Sequence, residues 1–430
     1  MKILVLGSGA REHAIVKALI RTGTPASNII VAPGNAGMAQ EVQCVAMDAN
    51  DPKLVTEFAT GNKIELAIIG PEAPLVAGVS DALRAANIPV FGPSQKAAAL
   101  EGSKSFAKEI MAAADVPTGM AHECTTMQEV EAALDSFGAP YVVKADGLAA
   151  GKGVIVTSDR DAALEHARKF IDMGILVEEF LDGEEVSLFF LCDGLTVVPL
   201  TPAQDFKRAY DGDKGPNTGG MGAYSPLPWL PAGFVEEVQR TVAQPTVDEM
   251  ARLGEPFIGL LYCGLIVTKR GIRVIEFNAR FGDPETQVVL RRLITPLALL
   301  LHSAATGDLE TAPEPVFSKD VAITVVLASE GYPDTAAPDR PIHGLHKAAE
   351  IEGVEICHAA TALSEKSVRA KAEGKKMSDE HLMATGGRVL SVVAVGKDFH
   401  GARKHAYEAI EQIRLEGSHF RTDIAKKVAN

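Results

Sequence analysis

The chain opens on an apolar run over residues 2–6 (KILVL) that stops at Gly7, and from Ala10 to about Ile20 apolar positions return at helical spacing. A short continuous apolar run suits a buried strand, and repeats of three and four residues suit a helix with one covered face. The alternation continues with strands at 28–32, 66–70 and 89–91 and helices at about 51–60 and 75–86. Strand, loop and helix in rotation predict an α/β domain, a parallel sheet covered by helices, over residues 1–101.

A helix over about 104–113 follows. Shorter strands come next at 141–145, 153–156, 175–180 and 187–192, with a helix at about 160–171. This reads as a small α+β unit inserted into a larger one. Further strands fit 257–268 and 271–277, and a long helix fits about 286–303. Residues 306–318 hold two prolines and little periodicity, as a linker would. Strands at 321–327, 353–358 and 388–395 and a helix at 400–413 make a small C-terminal α+β domain. The expected class is α/β and α+β multidomain, with units at 1–101, 102–310 and 320–425.

The 47% apolar and 23% charged residues are an ordinary globular balance. A net charge of -14 argues against nucleic acid held by bulk charge, but leaves room for a small anion at a local site. Cys44, Cys124, Cys192, Cys263 and Cys357 form no CxxC pair, so reduced thiols are expected instead of a disulfide or zinc scaffold. The N-terminus lacks a long apolar segment, and no apolar run reaches membrane-spanning length. The expectation is a soluble cytoplasmic protein with no nucleic-acid or membrane partner.

Gly7-Ser8-Gly9-Ala10-Arg11-Glu12-His13 leaves the first strand and enters a helix. Its glycines permit close backbone approach, the helix start offers free N–H groups, and Arg11 adds charge. Glu12 stands where a dinucleotide fingerprint needs its last glycine, which weakens that reading. A phosphate or small polar ligand and a ligand-free tight turn both stay open. Gly70-Pro71-Glu72 leaves the same sheet edge, as a second wall of a crevice or a proline-stiffened loop. Gly9, Arg11, Glu12, Gly70, Pro71 and Glu72 are the substrate candidates here.

VVKADGLAAGKGV at 142–154 is more informative. Lys144 on a strand can face nucleotide phosphate, and the loop carrying Gly151, Lys152 and Gly153 can close over it. The pattern is not GxxxxGK[ST], and an exposed basic hairpin is the bland alternative. Glu178, Glu179 and Leu181 end an apolar strand whose edge can receive adenine, and Glu185 can hold ribose hydroxyls; alone they would read as a solvated acidic turn. Lys104 opens the preceding helix and can reach the same phosphates.

Glu276 and Asn278 alternate onto one strand face, and their hard oxygens suit a magnesium ion bridging phosphates. Arg280 can grip a carboxylate or a phosphoryl group in transfer. The alternative is a charged strand end. Residues 204–222 are polar and glycine-rich, a surface loop or an active-site loop. Lys207 there can neutralise anions, and Asp213 can orient an amine or join a metal shell. No Ser–His–Asp or Cys–His set emerges, so a covalent acyl-enzyme has little support.

Taken together, GSGAREHA at 7–14, GPEAPL at 70–75, VVKADGLAAGKGV at 142–154, EEFLDGEEVS at 178–187, QDFKRAYDGDKGPNTGGMGAYSP at 204–226, EFNARFGDPETQ at 276–287 and TGGRVLSVVAVG at 385–396 resemble the phosphoribosylamine–glycine ligases of the ATP-grasp superfamily. The resemblance spans essentially the whole chain. It implies an N-terminal α/β domain, a central ATP-grasp fold with a mobile lid at about 120–190, and a C-terminal domain. It also implies glycine and 5-phosphoribosylamine as substrates, ATP, Mg²⁺ or Mn²⁺ on Glu276 and Asn278, and a monomer. Lys207, Asp213, Arg280 and Asp283 would border the reacting centre, with Asn217, Thr218 and Gly219 beside the substrate. Two departures stand out: Ala10, where many relatives have glycine, and Phe206, where histidine is frequent. Phe206 weakens any acid–base role at that position. Another ATP-grasp ligase or carboxylase, or a nucleotide sensor without turnover, would share parts of this pattern.

Overall fold

The computed structural model describes residues 1–147, 153–337, 339–364 and 382–429. Gly151 and Lys152 lie outside the described residues. The first sheet is parallel and runs, edge to edge, 43–44, 29–33, 3–7, 66–69 and 90–91. Its central strand Ile3–Gly7 is wholly buried, as its unbroken apolar sequence requires. The strand order reverses between Ile3–Gly7 and Leu66–Ile69, so the loops beyond Gly7 and Ile69 part there and leave a crevice. The helix expected over 75–86 is two pieces, Glu72–Val76 and Val79–Ala85. Gly78, at φ +82°, breaks it with a left-handed residue that glycine adopts without strain.

Two antiparallel sheets follow. The smaller runs 121–124, 175–178, 141–145 and 154–157, and helices Met127–Phe137 and Arg160–Phe170 pack Leu134 and Leu164 against its Val143 and Val177. The larger runs 197–199, 183–193, 258–268 and 271–278. Ser187–Cys192, grouped by sequence with the short strands before it, belongs to this larger sheet and pairs with 259–264. An apolar run states that a strand is buried, not which neighbour buries it.

The expected long helix over 286–303 is interrupted. Glu285–Arg292 ends, Leu293 turns extended, and Leu297–Thr306 starts anew. Pro296 accounts for this: it carries no N–H and disfavours helix in the residue before it. The 306–318 stretch is pinned to the body, with Ile294 N–H on Val316 O and Ser318 N–H on Arg292 O. The polar 204–226 stretch is also more ordered than a surface loop. It holds a hairpin, Arg208–Tyr210 with Lys214–Asn217, and its end Gly222–Ser225 joins the C-terminal sheet beside Val321–Ala328. That sheet runs 204–205, 222–225, 321–328, 388–396 and 354–358.

The first helix, Ala10–Arg21, packs on this C-terminal sheet through a buried histidine pair. His358 N–H donates to His13 Nδ1 at 2.9 Å, and His13 Nε2 meets Glu41 Oε1 at 3.1 Å. An accepting Nδ1 places the His13 proton on Nε2. Asn35 Nδ2 donates to His358 O at 2.7 Å and to Ser8 O at 2.9 Å, which ties the first glycine loop to the same junction. Burial pushes both imidazoles down, His358 to about 3 from 6.5. Between those two pH values the unfolded chain binds the proton and the folded chain does not, so stability rises with pH and is lost on acidification. His358→Gln should remove up to about 1.4 kcal/mol per pH unit from that slope. Urea unfolding between pH 3.5 and 7 measures it, and an unaltered slope would exclude His358 as a source of the acid sensitivity.

Candidate active site

Gly7, at φ +132°, turns the chain off its strand, and Gly9 caps the helix that follows. Glu12 then folds back. Its carboxylate accepts Gly9 N–H at 2.7 Å and Arg11 Nε at 2.6 Å. A Cβ on Gly7, Gly9 or Gly70 would come within 2.5, 2.9 or 2.1 Å of this side chain. Glu12 therefore fills the space a dinucleotide pyrophosphate would need, and the helix N-terminus already has its anion. Glu12 itself is only 1% exposed, with both oxygens engaged inside the loop. Outside it lies a cavity of about 420 Å³, lined among others by Ser8, Gly9, Arg11, Asp48, Asn50 and Pro71. Pro71, Ala73 and Pro74 form its second wall, Gly70 is not among the lining residues, and Glu72 begins the next helix.

Lys144, central in the small sheet, is buried. Its Nζ meets Glu178 Oε2 at 2.9 Å and donates to Ile275 O at 3.2 Å, joining the two central sheets. Lys108 approaches Glu178 from the other side at 3.5 Å. Lys104 Nζ donates to Gly147 O at 3.0 Å, and burial pushes the Lys104 and Lys108 ammonium groups down. Asp146 caps this helix start, accepting Lys104 N–H at 2.6 Å and Ser105 Oγ–H at 2.7 Å. Gly153 O accepts Ala145 N–H at 2.7 Å, so the described edge of the glycine loop returns to the Lys144 strand. Glu179 accepts Met120 N–H at 2.9 Å, and Leu181 lies against Gly119. Residues 179–182 link strands 175–178 and 183–193 outside both ladders.

Glu185 and Lys207 pair at 3.0 Å. Burial opposes the Lys207 charge, but Glu185, Asp205 and Glu276 outweigh it and hold the proton on. Burial likewise opposes the Glu276 anion, yet Lys207, Lys144, Lys104 and Arg280 keep its carboxyl below the usual range. The neighbouring Asp205 is pushed up to about 8 by burial, with Glu285, Glu185 and Glu276 adding to the effect against Lys207. Lysines 104, 144 and 207 all act on Glu276, and three cations gathered about one point can cradle a polyanion. Glu276 and Asn278 share a strand face next to it. No group of three or more His, Cys, Asp or Glu converges on a metal position among the described residues. One carboxylate and one amide oxygen are hard donors that would fit part of the ligand set of a divalent cation.

The turn after this strand gathers the remaining candidates. Arg280 Nη2 meets Glu101 Oε1 at 2.9 Å, and its Nε lies 3.5 Å from Glu72 Oε2. Arg11 Nη1 donates to Phe281 O at 3.0 Å. Asp283 sits 3.3 Å from Arg388, whose Nη1 also donates at 2.7 Å to both Gly219 O and Asp283 O. Thr218 Oγ donates to Lys207 O at 2.9 Å and accepts Gly220 N–H at 2.9 Å, and Asn217 pairs with Arg208 across the hairpin. The structure thus brings Lys207, Asn217, Thr218, Gly219, Arg280 and Asp283 to one place. Asp213 is held differently: it sits in the hairpin turn, mostly exposed, with its carboxylate 2.9 Å from Arg421. The Arg421 guanidinium in turn lies 4.9 Å over the Phe206 ring, which gives the departure at 206 a packing role.

Several participants escaped the sequence reading. Lys108 follows Lys104 by one helical turn, a spacing that was available as a signal. Glu101, Tyr262, Glu285 and Arg388 acquire their roles only in the fold, because their partners are distant in sequence, although Glu285 and Arg388 lie within the 276–287 and 385–396 motifs. Tyr262 OH donates to Glu285 Oε1 at 2.7 Å and lies 2.8 Å from Ser187 Oγ, a buried polar set behind the cleft.

Known proteins resemble this chain over nearly its whole length. Residues 1–101, 102–286 and 322–427 match the N domain, the ATP-grasp (A) domain and the C domain of phosphoribosylglycinamide synthetase. The phosphoribosylamine–glycine ligase of Leifsonia xyli is 61% identical, covering 99% of this chain and 100% of its own. That of Streptomyces coelicolor is 56% identical over the full length of both. The crystal structure of the Thermotoga maritima phosphoribosylamine–glycine ligase superposes with a TM-score of 0.82 at 29% identity, covering 98% of this chain and 100% of that one. A biotin carboxylase domain from Hydrogenobacter thermophilus, at TM-score 0.68 and 17% identity over 97% of this chain and 91% of that one, shares the fold alone. The chain belongs to the phosphoribosylglycinamide synthetase family, whose central domain is an ATP-grasp fold.

Proposed function

We propose that this chain joins glycine to 5-phospho-β-D-ribosylamine with ATP, giving N1-(5-phospho-β-D-ribosyl)glycinamide, ADP and phosphate, a step of de novo purine synthesis. The observation that supports it is Arg280, which acts with Lys104, Lys144 and Lys207 on Glu276 and reaches Glu72, the chain neighbour of the cavity-lining Pro71 and Ala73. Functional units at 1–101, 102–310 and 320–425 and a cytoplasmic monomer accompany this reading. No helix among the described residues is long and apolar enough to cross a membrane.

Lys104, Lys144 and the 147–153 loop hold the ATP phosphates, the 178–181 edge receives adenine, and Glu185 takes ribose on leaving Lys207. Glu276 and Asn278 would hold Mg²⁺ or Mn²⁺, and the bound cation would supply charge neutralisation on the phosphates. The glycine carboxylate attacks the γ-phosphorus, ADP leaves, and glycyl phosphate results. Lys207 and Arg280 offset the charge that builds on the transferring group. The ribosylamine, seated between the 7–11 and 70–72 loops, then attacks the acyl carbon, phosphate leaves, and the nitrogen gives up a proton to it. Exclusion of water protects the acyl phosphate from hydrolysis.

Mass spectrometry of the product tests this reading, with freshly made ribosylamine, glycine, ATP and Mg²⁺ each omitted in turn. Product that needs all four supports it; no product from folded, ATP-binding enzyme rejects the acceptor. At Gly70, a methyl group would meet Glu12 Oε1 at 2.1 Å, and Glu12 cannot shift without releasing Arg11 and Gly9. Gly70→Ala should raise the KM for ribosylamine at least about tenfold, one mispositioned contact's worth, with the KM for ATP little changed. Equal effects on both would place the damage in the fold.

A further inference from the structure

Arg280 is held by two carboxylates that differ in kind. Glu101 is 8% exposed at its side chain and is fixed twice: Oε1 takes Arg280 Nη2 at 2.9 Å, and Oε2 takes Ala279 N–H at 2.8 Å. Glu72 is 41% exposed at its side chain and stands 3.5 Å from Arg280 Nε. That Nε is buried and has no hydrogen-bond partner. Glu101 is thus a permanent support, whereas Glu72 is near enough to neutralise the guanidinium without satisfying its donor. Arg280 facing two carboxylates is a poor receptor for a third anion, since a like charge brought that close is repelled. Glu72 also lies between Pro71 and Ala73, which line the first-domain cavity. Its two chain neighbours thus face the place where the amine is expected, while its own carboxylate stands beside the group that is to meet the acyl phosphate.

Resting on the ligase reading, we propose that Glu72 couples the two substrates: it masks Arg280 until the ribosylamine amino group draws it away by donating a hydrogen bond. Arg280 Nε then turns to the anion of the acyl phosphate. The consequence is economy of ATP. With the amine absent, Arg280 stays masked, and little glycyl phosphate forms for water to attack. With the amine present, unmasking and the nucleophile arrive together. The amine nitrogen forms its bond to the acyl carbon as the carbon–oxygen bond to phosphate breaks, its proton goes to the departing phosphate, and no oxidant or further reactant is needed. Arg11, bound to Phe281 O on the same turn, keeps the cavity and Arg280 in register.

The test is ADP release with glycine, ATP and Mg²⁺, measured without and with ribosylamine. Glu72→Gln removes the masking charge while leaving the size. It should raise glycine-dependent ADP release without ribosylamine roughly tenfold, the loss of one close charge contact, and lift ADP formed per product above one. Glu72→Asp keeps the charge and should restore most of the dependence on ribosylamine, which a purely structural role would not predict. ADP release in Glu72→Gln that still requires ribosylamine as in the parent, or an aspartate variant as uncoupled as the glutamine one, would overturn the proposal. The parent enzyme keeps the two readings apart. No glycinamide ribonucleotide from the parent rejects the ligase assignment; product from the parent with unchanged coupling in Glu72→Gln rejects only the role of Glu72.

Discussion

Arg280→Lys should lower kcat by about two to three orders of magnitude, with the KM for ATP nearly unchanged. Arg280 has to serve Glu101 through Nη2 while presenting Nε to a substrate anion, and a planar guanidinium can do both at once. A lysine ammonium keeps the positive charge beside Glu101, so the fold survives. It cannot span two acceptors in that fixed geometry. The ATP phosphates are assigned to Lys104 and Lys144, so nucleotide affinity should hold. Steady-state rates with each substrate varied check this, and a lysine variant within threefold of the parent would remove Arg280 from the reacting centre.

The second large effect is on stability. Glu178→Ala leaves Lys144 and Lys108 without their shared carboxylate in a site where Lys144 and Glu178 are each 6% exposed at the side chain. Removing one partner of a buried pair costs about 3–5 kcal/mol, because the remaining charge keeps its desolvation cost. The loss should concentrate in strands Tyr141–Ala145 and Ile175–Glu178, which the pair joins to the larger sheet through Ile275 O. Hydrogen exchange of those two strands reads it directly. ATP should protect the variant more than the parent, since phosphate would supply the missing negative charge. Unchanged exchange in both strands would show that the pair contributes nothing to holding the sheets together.

Local chemistry was the legible part of this chain. The strand with Lys144, the helix that begins at Lys104, and the glycine loop at 7–9 are each written in contiguous residues with clear periodicity. Pro296 is the local signal that splits the long helix, since proline outweighs apolar spacing there. The rest is non-local. Glu101 and Arg280 are 2.9 Å apart in space and 179 residues apart in the chain, and Arg388 reaches Asp283 from another domain. Glu12 shows a subtler limit. Its side chain was expected to face a ligand, but three glycines from two loops close around it, and only the folded sheet brings Gly70 to Gly7 and Gly9. Asp213 is the converse case: a polar residue in a glycine-rich segment that the fold commits to Arg421.

The most direct test of ATP-driven carboxylate activation is the fate of glycine oxygen. Glycine labelled with ¹⁸O in both carboxylate positions is converted in the complete reaction, and phosphate, nucleotide and product are analysed by mass. Attack of the carboxylate on the γ-phosphorus predicts one label in the released phosphate and one in the product amide, with unlabelled ADP. Label in AMP, or phosphate without label while product forms, would contradict the acyl phosphate and with it the roles given to Lys207, Arg280 and Glu72.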